Sequence, residues 1–252
     1  MIPAAALETR DLTIRFGGHV AVDAVTCAFR PGELTAIVGP NGAGKTTYFN
    51  LISGQLRATS GAVIVKGADV TKLDAPRRAR CGLGRAFQLT NLFPALSVVE
   101  NVRLAVQARA GVHYEMTRPW LARRDLMRAA EERLAQVGLA GRAAAPVSAL
   151  SHGDQRKLEV AMMMALEPDI LMFDEPTAGM SVDEVPVVLD LIAALKRDAT
   201  KTILLVEHKM DVVRSLADRI VVLHNGRLMA DGAPAEVIAS DIVREAYLGA
   251  AA

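Results

Sequence analysis

Apolar and polar residues alternate along positions 7–29, and the alternation breaks at Gly17 and Gly18. A period of two predicts two antiparallel strands folded back at that glycine pair. Short apolar runs follow at 33–38, 170–173 and 202–206, without a polar face, as in parallel strands buried on both sides. Positions 62–65 read as a further strand. Between these runs the spacing lengthens to three and four, predicting helices over 45–52 and 185–195. From 97 to 137 helical spacing and charge replace strands, with a loop over 111–119, and another helix follows Ser151. Pro76 with Arg77, Arg78 and Arg80 reads as a solvated helical turn. Positions 219–229 read as a hairpin turned by Asn225 and Gly226, and one or two short helices follow from 235. The predicted architecture is an α/β frame with N-terminal antiparallel β strands and an inserted α-helical subdomain. Residues 1–94 and 165–252 make up the discontinuous core, and residues 95–164 the insertion.

The 252 residues carry a formal charge of +1, so no basic footprint points to nucleic acid. The two cysteines, Cys27 and Cys81, lack metal-ligand spacing, and Cys27 falls in an apolar strand pattern as a small core residue. No basic segment followed by a long apolar one marks a signal peptide, and no run of eighteen apolar residues marks a membrane span. Hydrophobic residues nonetheless make up 51% and mean hydropathy is +0.24. A large core accounts for this, and so does apolar surface that faces another protein.

Chemistry concentrates where strands end. The run to Val38 opens into Gly39, Pro40, Asn41, Gly42, Ala43, Gly44, Lys45, Thr46 and Thr47, and a helix follows. Strand, glycine-rich loop and helix are the context in which G-x-x-x-x-G-K-[ST] cradles phosphate. Loop N–H groups and the helix N-terminus face the anion, Lys45 reaches the β- and γ-phosphates of a nucleotide such as ATP, and Thr46 can ligate Mg²⁺. Asp174 and Glu175 emerge at the C-terminal end of a buried strand, where ligands of α/β sheets sit. There Asp174 can hold Mg²⁺ through water, and Glu175 can polarise an attacking water. His208 ends a strand expected beside that one, within reach of the γ-phosphate or of the attacking water. Gln88 can touch Mg²⁺ and sense phosphate. Phe16 either stacks on adenine or packs in the core. Ser151 and Asp154 form a capping-box pattern ahead of a helix, and a capped N-terminus is also an anion site.

Together these motifs resemble the ATP-binding subunits of ATP-binding-cassette (ABC) transporters, P-loop NTPases, over nearly the whole chain. Phe16 matches the adenine-stacking aromatic, residues 39–46 the Walker A loop, Gln88 the Q-loop and residues 151–154 the family signature. Asp174 and Glu175 match Walker B with its catalytic glutamate, and His208 the switch histidine. His152 and Asp154 replace a glycine and the glutamine of the usual signature, Gly153 is kept, and Ser181 stands where many members have aspartate. The resemblance implies two subunits, identical or merely similar, that sandwich two ATPs head to tail. The Ser151 loop of each, with Gly153, would meet the γ-phosphate held by the other, while Asp154 would cap its helix or accept from ribose hydroxyls. It further implies membrane permease partners reached through residues 88–93, an indirect link to a solute-binding protein, and a place on the cytoplasmic face of the inner (plasma) membrane.

Within the family, residues 84–88, the signature, the segments around 178–180 and 206–210, and Tyr247 to Gly249 look like the branched-chain amino-acid importer group. That group also serves urea, amides and small carboxylates. Lipopolysaccharide-exporter ATPases are similar in style, and soluble ABC ATPases form a third alternative. A P-loop kinase leaves the signature, Gln88 and His208 unexplained.

Overall fold

The computed structural model describes residues 4–86, 92–112, 123–181, 183 and 185–240. It divides into two units. Met1–Arg85, Asp169–Glu175 and Ala193–Ala252 form the first, and Ala86–Pro168 with Pro176–Ile192 the second.

In the first unit, strands β1 (Leu7–Phe16) and β2 (His19–Phe29) pair antiparallel around Gly17 and Gly18, as the alternation predicts. Strand β3 (Leu34–Val38) belongs to a second sheet, whereas β4 (Ser60–Val65) and β5 (Ala68–Asp69) complete the first in the order β2-β1-β4-β5. The second sheet adds β6 (Leu83–Ala86), β7 (Ile170–Asp174), β8 (Thr202–Val206), β9 (Arg219–His224) and β10 (Arg227–Gly232). Its order is β10-β9-β3-β8-β7-β6. Strand β3 runs parallel to both β8 and β9, and β7 parallel to β8.

Every residue of β3, β7 and β8 is buried, which accounts for their unbroken apolar composition. Successive side chains of β3 serve different cores. Ile37 joins Leu7, Phe29, Tyr48, Met172 and Leu204, while Ala36 and Val38 join Val213, Ile220, Val222 and Val237. Among the described residues, four helices lie wholly in this unit: α1 (Lys45–Ser53) and α2 (Ala75–Arg80) before the insertion, and two introduced below. The Asn225–Gly226 hairpin forms between β9 and β10 with both turn residues at positive φ.

Arg78 corrects the sequence reading. Arg77 and Arg80 of α2 are exposed, but Arg78 is only 2% exposed. Its guanidinium donates to the carbonyls of Leu51 (2.5 Å) and Ile52 (2.7 Å) in the last turn of α1, and to those of Thr71 (2.8 Å) and Leu73 (3.0 Å). Carbonyls in a last turn lack intrahelical donors, and a cation there also meets the negative end of the helix dipole. A solvated turn was expected because charge alone does not reveal which arginine faces inward.

The second unit packs α3 (Val98–Arg109), α4 (Arg124–Gln136) and α5 (His152–Ala165) on one another. Ser97 and Glu100 form a reciprocal capping box at α3. At α5 the predicted box is only half made. Ser151 Oγ accepts from the Asp154 N–H at 3.2 Å, but the Asp154 carboxylate accepts from Lys157 Nζ at 2.8 Å. The neighbouring lysine out-competes the backbone N–H for that carboxylate. Helix α6 (Val185–Lys196) begins in this unit and ends in the first, where α7 (Met210–Leu216) and α8 (Pro234–Ala239) follow. Gln88, most of the 111–119 loop and Tyr247 to Gly249 lie outside the described residues. No helix among the described residues is long and apolar enough to cross a membrane.

Candidate functional site

The loop between β3 and α1 is shaped by two glycines whose neighbours leave no room for a side chain. A Cβ on Gly39 (φ 153°) would stand 2.1 Å from the Leu223 carbonyl oxygen, and one on Gly44 (φ 94°) 2.5 Å from that of Ala21. The loop is therefore pressed between β2 and the end of β9, and the Gly226 N–H donates to the Ala43 carbonyl at 3.0 Å. Gly44 is the N-cap of α1 and no side chain caps it, so the first N–H groups of the helix are donors for an anion. Lys45 Nζ donates to the Gly39 (2.8 Å) and Pro40 (2.9 Å) carbonyls, which hold it over the loop and leave one ammonium proton for a phosphate oxygen. Burial pulls the Lys45 pKa below its usual value, and the charges of Glu175 and Asp174 partly restore it.

A cleft of about 430 Å³ lies over this loop. Of the predicted site residues, Phe16, Asn41, Gly42, Ala43, Gly44, Lys45, Thr46, Thr47, Glu175 and His208 line it. Gly39 and Pro40 stand behind as the acceptors for Lys45. Phe16 is half exposed at the tip of the β1–β2 hairpin, so of its two readings core packing is excluded. Two lining residues, His19 and Ala21, were not anticipated from the sequence. His19 is the cross-strand partner of Phe16, and the two-residue glycine turn was the signal that could have placed it.

Parallel pairing of Asp174 with Val206 brings the ends of β7 and β8 together. Glu175 follows with φ 48°, a left-handed conformation that costs a residue with a side chain about 1–2 kcal/mol. Its N–H donates to the Val206 carbonyl at 2.9 Å, which fixes the strained backbone against β8. The Glu175 carboxylate Oε1 then meets His208 Nε2 at 2.6 Å. Asp174 lies behind, its carboxylate 1% exposed, with Oδ2 accepting from Arg85 Nη2 at 2.6 Å. Burial pushes the Asp174 pKa up, against the downward pull of Arg85. Its Oδ1 is buried without a hydrogen-bond partner among the described residues. A buried carboxylate oxygen without a hydrogen-bond partner among the described residues at the end of β7, and the Thr46 hydroxyl in the first turn of α1, are oxygen donors of the kind a hard divalent cation such as Mg²⁺ takes. Ser151, Gly153 and Asp154 belong to the second unit, at the N-terminus of α5.

Comparison with known proteins gives a consistent result. The family model described as ABC transporter matches residues 22–178, and one described as Branched-chain amino acid ATP-binding cassette transporter matches residues 227–252. The chain is 37% identical to the high-affinity branched-chain amino acid transport ATP-binding protein LivG of Escherichia coli (strain K12), over 97% of this chain and 98% of that protein. Identity to BraF of Pseudomonas aeruginosa, with the same description, is also 37% at the same coverage. Among solved structures, the ADP conformation of MJ1267, an ATP-binding cassette of an ABC transporter, matches with a TM-score of 0.84 at 26% identity. That match covers 97% of this chain and 99% of the other. A dimeric post-hydrolysis state of the cassette MJ0796, bound to ADP and Pi, matches with a TM-score of 0.77 at 25% identity, over 90% of this chain and 98% of the other.

Proposed function

We propose, for a chain that belongs to the ABC transporter family, that it is the ATP-hydrolysing subunit of an importer for branched-chain or related small amino acids, amides or carboxylates. The observation that carries the catalytic half is the pairing of Glu175 with His208 at the phosphate-loop cleft, with Lys45 and Asp174 electrostatically coupled to it. The importer half is supported by the family match at 227–252 and the likeness to LivG and BraF.

In this reading ATP is the substrate. Phe16 stacks on its adenine, the loop N–H groups hold its phosphates, and Lys45 neutralises charge that grows on the β- and γ-phosphate oxygens during cleavage. Thr46 and Asp174 would hold Mg²⁺, aided by Gln88, and that ion would neutralise phosphate charge. Glu175 orients water and draws its proton, and His208 fixes the carboxylate through the 2.6 Å contact. The helical subdomain, residues 95–164, presents Ser151, Gly153 and Asp154 to nucleotide on a second ATP-binding subunit. Closure around ATP drives permease subunits at the cytoplasmic face of the inner membrane, with a solute-binding protein engaged indirectly. Coupling of this kind requires ATP to bind the closed state more tightly than the open one.

The test is recovery of the tagged chain from its native membranes in mild detergent, with partners identified by mass spectrometry. Two multi-spanning permeases and a solute-binding protein are expected. Lipid-export components, or no membrane protein, would refute the importer reading in favour of an exporter or a non-transport ATPase.

A further inference from the structure

Arg85 has no role in the reading above, yet its guanidinium ties the cleft's acidic strand to the phosphate-loop helix. Nη1 donates to Asn50 Oδ1 at 2.7 Å and to Ser53 Oγ at 2.8 Å, both on α1. Nη2 donates to Asp174 Oδ2 at 2.6 Å. The guanidinium also lies 5.6 Å from the centroid of the Phe49 ring. Thr46, Asn50 and Ser53 are spaced so that they share one face of α1. The residue that anchors Asp174 is therefore itself anchored on the face that carries the cation-binding hydroxyl.

We propose that Arg85 is a positioning residue that restricts Asp174 to single-oxygen presentation and so makes this site select Mg²⁺ over Ca²⁺; the inference rests on the ATPase reading. The pair is deeply buried, with side chains 7% and 1% exposed, and Oδ2 is taken from behind. A planar guanidinium with several donors fixes a carboxylate plane, which a lone ammonium does not. Oδ1, buried and without a hydrogen-bond partner among the described residues, is what remains to face a cation, directly or through water. Mg²⁺ keeps a tight octahedral shell and is suited by one carboxylate oxygen. Ca²⁺ accepts both oxygens of one carboxylate and a larger, looser shell. A freed Asp174 would offer both.

The experiment titrates Mn²⁺ bound to the full chain with a non-hydrolysable ATP analogue, using electron paramagnetic resonance, and displaces it with Mg²⁺ or Ca²⁺. Arg85→Met should lower the Mg²⁺:Ca²⁺ preference about tenfold, the usual scale for removing a group that orients a ligand. Loss of the guanidinium's repulsion raises affinity for both ions, so the ratio isolates the positioning effect. Asn50→Ala, which loosens Arg85 without removing it, should shift the ratio in the same direction by less, and serves if Arg85→Met fails to fold. Analogue affinity in EDTA should match wild type in both variants. A ratio within twofold of wild type, with only the melting temperature lowered, would reduce Arg85 to a structural role and overturn the proposal. If the wild-type chain retains no Mn²⁺ with nucleotide, the ATPase reading itself fails and this inference with it.

Discussion

Replacing Arg78 by methionine keeps an unbranched apolar stem but shortens the side chain and removes the donors it sends to α1 and to the turn before α2. Four carbonyls lose a charge-assisted bond: those of Leu51, Ile52, Thr71 and Leu73. Leu51 keeps a second donor, the Gly54 N–H at 3.3 Å, so three groups bear most of the loss. Each bond to a charged donor contributes ~1.5–3 kcal/mol, and a buried carbonyl left without a donor carries its own penalty. Against this, Arg78 has no carboxylate among its hydrogen-bond partners in the described residues, and burial pulls its pKa down, so removing it also relieves a desolvated charge. The balance is a loss of roughly 2–4 kcal/mol, or about 5–15 °C in melting temperature for a chain of this size. Urea and thermal unfolding followed by far-ultraviolet circular dichroism would measure it. A variant within about 0.5 kcal/mol of wild type would refute the claim that these carbonyls depend on Arg78.

Glu175→Gln keeps the side chain's size and its bond to His208 but loses basicity, so ATP affinity should hold while hydrolysis falls roughly 10²–10⁴-fold; near-normal turnover in steady-state phosphate release would sink the general-base role. Burial pushes the Cys27 thiol up to about 11 from 9.0, whereas Cys81 is partly exposed. One thiol should therefore react with Ellman's reagent at pH 8 in the native protein and two after denaturation, and two fast thiols in the native state would contradict the buried assignment. The same raised pKa means the folded chain holds its proton where the unfolded chain loses it, so Cys27 lowers stability as pH rises from 9 toward 11.

What the sequence made legible was local. The phosphate loop, the strand-end pair of Asp174 and Glu175, the Asn225–Gly226 hairpin and the neighbouring strand that leads into His208 each follow from a few adjacent residues and one periodicity. Arg78 and Arg85 did not, because their partners are remote: Arg78 meets residues of α1, and Arg85 meets Asp174 across the insertion. In a segment with arginines at 77, 78, 80 and 85, composition cannot say which guanidinium turns inward. Strands β5 and β6 were missed for a related reason. At two and four residues they are too short to show a period, and they exist through pairing with longer neighbours. The half-made box at Ser151 shows the same limit, since Lys157 one turn on decides where the Asp154 carboxylate goes.

The place of β3 in its sheet bears on how the protein is made. Both of its partners come from the last third of the chain: Leu34 pairs with Ile203, and Val38 with Val222. The loop that follows β3 is braced by Leu223 and Gly226. A nascent chain has therefore long since exposed its phosphate-loop sequence when the strands that flank it leave the ribosome. At about 5–20 residues per second the delay is on the order of ten to thirty seconds. Through that interval β3 is an apolar strand with two open edges, a substrate for chaperones and a hazard for aggregation. The capacity to bind nucleotide arrives late in synthesis, almost at once, when β8 and β9 close on either side.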